Sequence, residues 1–336
     1  MNTQTLVGYI ARGYEKNVLY TTSGLIGSIT TIVFNILLLV QFKMDYSALF
    51  IASCIGYVVN IVIMVVGIHE RHLFSFKYFD KKLFKEMLLF SLPLCLNSVA
   101  YWFLTSYNRI AVNDYLGPEA NGYYAIAGRF GSMITLFTTC FQMAWQELAY
   151  SKSAKEDGLG EFYSVATNNY IKSMGVGLVI LIPSINEAYG VGKELIPFYL
   201  LGTILSTISS FLGNTFSAIK KNQLLFITML IGSVANVVCI HLLLPKLGLQ
   251  ASNVALAIGF LLICITRLVL LKKELHISIE YRNIVIVIIG FICVTIAYQY
   301  GNLWQNIVVM LVALALIFYF FKDVFHMVLQ KVRNRG

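Results

Sequence analysis

The sequence predicts an all-α integral membrane protein with about ten transmembrane helices, and three observations carry that prediction. Of 336 residues, 58% are apolar and only 12% are charged, whereas a soluble domain carries about 25% charged residues. The apolar residues gather into runs of about twenty, the length a helix needs to cross roughly 30 Å of hydrocarbon. The period-two alternation of a membrane barrel is absent. A net charge of +9 would point to nucleic acid in a soluble chain. Here it reports a bias of the loops, and no nucleic-acid partner is expected.

Charges, Gly, Pro and Asn punctuate the chain into spans at 19–40, 47–68, 87–111, 122–149, 162–184, 195–218, 223–244, 250–271, 283–299 and 302–321. The segment before the first, MNTQTLVGYIARGYEKN, lacks the shape of a cleavable signal peptide. The connections are short apart from the charged loop between the second and third spans. Lys and Arg set the orientation. With both termini in the cytoplasm, the inner side holds Arg12, Lys16, Arg71, Lys77, Lys81, Lys82, Lys85, Lys152, Lys155, Lys220 and Lys221. It also holds Arg267, Lys272, Lys273, Arg282, Lys322, Lys331, Arg333 and Arg335. The outer side holds only Lys43, Arg109, Lys193 and Lys246. The cysteines at 54, 95, 140, 239, 264 and 293 sit inside apolar runs, with no CxxC and no His at ligand spacing. They read as small packing residues, not disulfides or metal ligands. No metal site and no cofactor is expected.

An internal repeat organises the spans. Lys16-Asn17 matches Lys221-Asn222, LIGS at 25–28 matches LIGS at 230–233, and LLL at 37–39 matches LLL at 242–244. After a two-residue gap Ala48, Ala52, Ile55 and Gly56 match Ala251, Ala255, Ile258 and Gly259. The copies lie six helices apart, so both have the same orientation, as in transporters built of two parallel lobes. Residues 1–68 then form the last two helices of a first lobe, 69–86 a cytoplasmic linker and 87–271 a complete six-helix second lobe. Residues 272–322 add a further helix pair, and 323–336 form a basic cytoplasmic tail. On this reading about four helices precede Met1 in a complete 6+6 arrangement.

The third and fourth spans carry polar faces. Asn97, Tyr101, Thr105 and Asn108 recur at spacings of four, four and three, with Arg109 beside the last. Gly128, Ser132, Thr135, Thr139, Gln142 and Gln146 form a second stripe, with Arg129 on its flank and Trp145 near its end. Lipid tails satisfy neither amides nor guanidinium groups, so both faces should turn toward a lined cavity or other helices. Arg129 lies about 10 Å inside one end of its span, and Lys172 near mid-depth of the next, at 1.5 Å per residue. Arg129, Lys172 and Arg109 are therefore candidate ligands for an anionic cargo, and Pro93 is a candidate hinge. Each has a plainer reading: Arg109 as an interfacial anchor, Arg129 snorkelling outward, Lys172 as part of a polar helix start with Asn168, Asn169 and Tyr170, Trp145 in the aromatic belt, Pro93 as a packing kink, and the stripes as helix–helix hydrogen bonds.

With these features in place, residues 10–275 resemble the multidrug/oligosaccharidyl-lipid/polysaccharide exporter superfamily, and within it the O-antigen and polysaccharide flippases. The resemblance rests on the ARGYEKN entry to the first span and on the block from DKKLFKEMLLFSLPLCLNSVAYWFLTSYNRI to AVNDYLGPEANGYYAIAGRF. It also rests on FQMAWQELAYSK, where Glu147 replaces the family's usual proline, and on KLGLQASNVALAIGF. The resemblance implies a flippase moving an undecaprenyl-pyrophosphate-type oligosaccharide from the cytoplasmic to the outer leaflet of the cell membrane by alternating access. The added helix pair would then shape a groove for the lipid tail. Membrane lipids, a polysaccharide polymerase and chain-length machinery are candidate partners. A cation-coupled multidrug antiporter of the same superfamily should instead show an acid in the cavity. A membrane glycan polymerase or transferase should show a large outer loop and a catalytic constellation, and neither is visible. The chain therefore reads as a transporter, not an enzyme.

Overall fold

The computed structural model describes residues 2–68, 79–151, 158–182, 192–300 and 311. Every regular element among them is helical. In chain order these are α1 (Asn2–Gly13), α2 (Asn17–Ile36, continued by a π-helical turn over Leu37–Gln41), α3 (Ser47–Ile68), α4 (Lys81–Thr105) and α5 (Tyr107–Ser151). They are followed by α6 (Leu159–Leu181), α7 (Gly192–Ala218), α8 (Asn222–Leu247), α9 (Gln250–Leu275) and α10 (Tyr281–Tyr300). Large apolar side chains stand outward along them, Leu136 71% and Phe137 83% exposed, as a hydrocarbon solvent permits and water does not.

Seven stretches among the described residues are long and apolar enough to cross a membrane, and they cover eight of the expected spans. Two of those eight fall in one stretch, Lys81–Ser151, because the chain stays helical where the sequence reading places a loop at 111–120. The interruptions are a turn at Ser106 and Gly117, whose φ of 83° and ψ of 176° suit glycine alone. Pro118 follows as the first residue of a new helical segment, where its missing N–H costs nothing. The span expected at 162–184 forms α6 but is not among the seven, since Ser164, Thr167, Asn168, Asn169 and Lys172 dilute its apolar run. The span expected at 302–321 and the tail at 323–336 lie outside the described residues, apart from Leu311, as does most of the linker (69–78).

The chain divides into two compact units, Met1–Lys81 and Lys82–Gly336. In the first, α1 is an element the sequence reading leaves unassigned. Its four-residue spacing buries Val7 and Ala11 with Met64 and Ile68 of α3. In the second, α7 is the most enclosed of the seven apolar stretches, and Phe211, Leu212 and Phe216 anchor it in the core.

The sequence repeat is also a repeat of contacts. Glu15 and Lys220 both have φ near 60° (59° and 60°), and Lys16 and Lys221 take similar cap conformations before α2 and α8. Each lysine reaches the C-terminal end of the second helix that follows it, α3 or α9. Lys16 Nζ donates to the carbonyls of Gly67 (3.2 Å) and Ile68 (2.9 Å), and Lys221 pairs with Glu274. At the α2–α3 crossing a Cβ on Gly56 would lie 2.8 Å from the Gly27 carbonyl oxygen. At the α8–α9 crossing a Cβ on Gly259 would lie 2.9 Å from that of Gly232. Both crossings bring backbone to backbone as small residues allow in membranes.

The cysteines are free, as expected, but only Cys264 is buried; Cys54, Cys95, Cys140 and Cys293 are exposed. Cys264 and the half-buried Cys239 pack against core clusters, and a thiol is apolar enough to face lipid at the exposed positions.

Candidate functional site

The second unit holds a polar cavity of about 450 Å³ between α5 and α7, closed by parts of α4 and α9. Two close approaches shape it. A Cβ on Gly131 would lie 2.5 Å from Tyr199 Cε1 and 2.8 Å from Thr203 Oγ1, so only glycine lets α7 come this near. A Cβ on Gly128 would meet the Tyr199 hydroxyl at 3.2 Å and Arg109 Nη2 at 3.6 Å, which sets the guanidinium and the phenol together at one end. Tyr124 crosses Tyr199 edge-on at 5.5 Å.

From that end the walls continue along α5 from Gly128 to Gln142, about 20 Å at 1.5 Å per residue. Their hydroxyls are turned back onto their own helices. Ser132 donates to the Gly128 carbonyl (2.9 Å), Thr135 to Gly131 (3.0 Å), Thr138 to Ile134 (3.0 Å) and Thr139 to Thr135 (2.6 Å). On α7, Thr203 donates to Tyr199 (3.0 Å) and Thr207 to Ile204 (2.8 Å), and on α4 Thr105 donates to Tyr101 (2.9 Å). At the far end Gln142 Nε2 donates to the Thr207 carbonyl at 3.3 Å. No Asp or Glu is among the lining residues.

Of the residues singled out from sequence, Tyr101, Thr105, Arg109, Gly128, Ser132, Thr135, Thr139 and Gln142 line this cavity. The others lie elsewhere. Asn108 is fully buried and exchanges hydrogen bonds with Asn236 (2.8 and 3.3 Å) while donating to the Ser252 carbonyl (3.0 Å). Asn236 also donates to the Leu104 carbonyl, one of those freed by the break at Ser106. Asn97 stays on α4 with its amide oxygen enclosed. Arg129 is exposed beside the lining residue Gly128 but outside the lining itself. Gln146 bonds the Tyr150 hydroxyl at 3.1 Å. Trp145 is buried in an aromatic stack, its ring centroid 4.6 Å from that of Phe211 and 5.6 Å from that of Phe162. Helix α4 runs on through Pro93.

Lys172 differs most from expectation. It pairs with Glu280 at 2.8 Å. The cause is the connection between α9 and α10, which lies along α6. Gly160 faces the Leu275 carbonyl, and Ser164 accepts from Ser278 N–H at 2.8 Å. Asn168 bonds both the Ser278 carbonyl (2.9 Å) and Glu280 N–H (3.0 Å). Gly160, Ser164, Asn168 and Lys172 recur every four residues, a docking stripe for that connection.

Two features escape the sequence reading. The α7 wall of Tyr199, Thr203, Ser206, Thr207 and Ser210 is legible afterwards at spacings of three and four in YLLGTILSTISS. Arg267, counted among the inner-side charges, is instead 1% exposed. It donates to Thr228 Oγ1 (3.0 Å), to Ser209 Oγ (3.0 Å) and carbonyl (2.5 Å), and to the Leu225 carbonyl (3.3 Å). It ties α7, α8 and α9 together, and each of these partners is neutral.

Residues 2–145 match the model of a family described as polysaccharide biosynthesis protein. No curated protein matches the chain by sequence. Among solved structures it is similar to the lipid II flippase MurJ in an inward closed conformation, with a TM-score of 0.59 and 20% identity over 90% of this chain and 67% of that one. It is also similar to a mutant MATE protein, with a TM-score of 0.62 and 15% identity over 82% of this chain and 66% of that one. The chain thus spans about two thirds of the length of each, and at these identities the likeness is one of fold.

Proposed function

We infer that this chain, which has the fold of the multidrug/oligosaccharidyl-lipid/polysaccharide exporter superfamily, moves a lipid-linked oligosaccharide from the cytoplasmic to the outer leaflet of the cell membrane. The observation that carries this reading is the α5–α7 cavity, with Arg109 at one end, hydroxyls along its walls and no carboxylate among its lining residues. A pyrophosphate carries charge and acceptors only, which a guanidinium fork suits. An oligosaccharide is dense in hydroxyls, which hydroxyl and amide walls suit. A cationic drug would find no counter-charge on this wall, which disfavours the antiporter reading. In this proposal both termini are cytoplasmic, the helices before and after the linker belong to different lobes, and alternating access comes from rocking of the lobes. The driving force would act elsewhere than through an acid in this cavity.

The reading is tested in cells deleted for the gene, by extracting lipid-linked oligosaccharides and locating them by leaflet. Complete repeat units should accumulate on the cytoplasmic leaflet, and expression of the chain should clear them. Unchanged oligosaccharide pools together with altered tolerance of cationic drugs would contradict it and favour antiport.

A further inference from the structure

Resting on the lipid-linked oligosaccharide reading, we propose that the cavity sorts the two chemistries of its cargo, with Arg109 taking the phosphate end and the threonine walls of α5 and α7 taking sugar hydroxyls. The direction of the hydroxyl protons decides which group each wall can hold. Thr135, Thr139, Thr203 and Thr207 each spend their only donor on a carbonyl of their own helix. A hydroxyl in that state offers the cavity only lone pairs. Gln142, one turn further along α5, has already committed an amide N–H to the Thr207 carbonyl. These four threonines are therefore a run of acceptors. They suit groups that bring their own donors, such as sugar hydroxyls and acetamido N–H groups, and they themselves offer a phosphate nothing.

The Arg109 end has the opposite character. Its guanidinium lies beside the Tyr199 hydroxyl, both against Gly128, and a guanidinium has donors and no acceptors. The two ends are separated along α5 by the run from Gly128 to Thr139, about 16 Å at 1.5 Å per residue. A cargo joining a pyrophosphate to a saccharide would thus bind in one direction only.

The experiment uses the purified full chain in lipid nanodiscs and two radiolabelled probes, farnesyl pyrophosphate and the same molecule bearing N-acetylglucosamine. Two recovered hydrogen bonds of about 1 kcal/mol each should make the sugar-bearing probe bind the wild type roughly tenfold tighter or more. Thr135→Val with Thr139→Val should erase that preference and leave bare farnesyl pyrophosphate unchanged. Thr135→Ser with Thr139→Ser should restore it, which separates lost acceptors from lost folding. Arg109→Gln should weaken both probes by the same factor. Equal binding of the two probes to the wild type, or a Val variant that keeps the preference or loses the bare probe, would overturn the sorting and leave the flippase reading standing. Failure of the wild type to bind either probe would overturn both.

Discussion

Arg267→Met is expected to destabilise the second unit by about 3 kcal/mol, the largest stability effect anticipated for a single side chain in this protein. Methionine replaces the apolar stem of arginine, so the loss falls mainly on the hydrogen bonding of the guanidinium. The substitution leaves the Ser209 and Leu225 carbonyls without the donor that now meets them, and also Thr228 Oγ1 and Ser209 Oγ. Each buried acceptor left unmet costs about 1–3 kcal/mol, part of which helical carbonyls recover from their own ladder. Gly213 lies against the guanidinium, a Cβ there standing 3.0 Å from Nη1, so the arginine fills space that glycine leaves open. Thr228→Val removes one partner and should cost about 1 kcal/mol. Denaturant-induced unfolding in mixed micelles reads both. Unfolding of Arg267→Met at the wild-type midpoint would show that the arginine is not the tie between α7, α8 and α9.

Arg109→Gln is expected to lower cargo clearance in deletion cells about 30-fold or more, from the loss of charge-assisted hydrogen bonds of about 2 kcal/mol or more to the phosphate. Glutamine keeps an amide donor on a shorter side chain but loses both the charge and the fork. Arg129→Gln, by contrast, should leave clearance within about twofold, since that side chain is exposed outside the cavity lining. Quantifying cytoplasmic-leaflet lipid-linked oligosaccharide at matched expression gives both values. Equal losses for the two variants would mean that positive charge near this end of the cavity, not the lining cation itself, governs clearance.

The parts of the fold legible in the sequence are those set by composition and short spacing. Lipid solvent fixes where helices run, and the repeat alone marks the pairs Gly27–Gly56 and Gly232–Gly259 that meet at the two crossings. The polar stripe on α5 is legible for the same reason, because residues four apart share a face of an unbroken helix. Of the α4 stripe, Tyr101 and Thr105 meet the cavity and Asn97 does not. The break at Ser106 re-phases the residues after it, so Asn108 turns to Asn236 and Ser252 while Arg109 meets the cavity. Lys172 is misplaced by sequence because its partner Glu280 is 108 positions away, brought there by a connection whose docking stripe looks like an ordinary polar helix start. Arg267 escapes because a loop-side charge and a buried one look alike until the partners on α7 and α8 are in place.

Carriage of a phosphate-linked saccharide across a bilayer by way of the Arg109 cavity is tested most directly by reconstitution. The chain is placed in proteoliposomes with a fluorescent prenyl-pyrophosphate oligosaccharide in both leaflets, and quenching by a membrane-impermeant reductant is followed. Vesicles containing the chain should lose nearly all the signal, empty vesicles and Arg109→Gln vesicles only the outer-leaflet half. Quenching that stops at the outer leaflet with the wild type, or that runs to completion equally with Arg109→Gln, would contradict transport through this cavity.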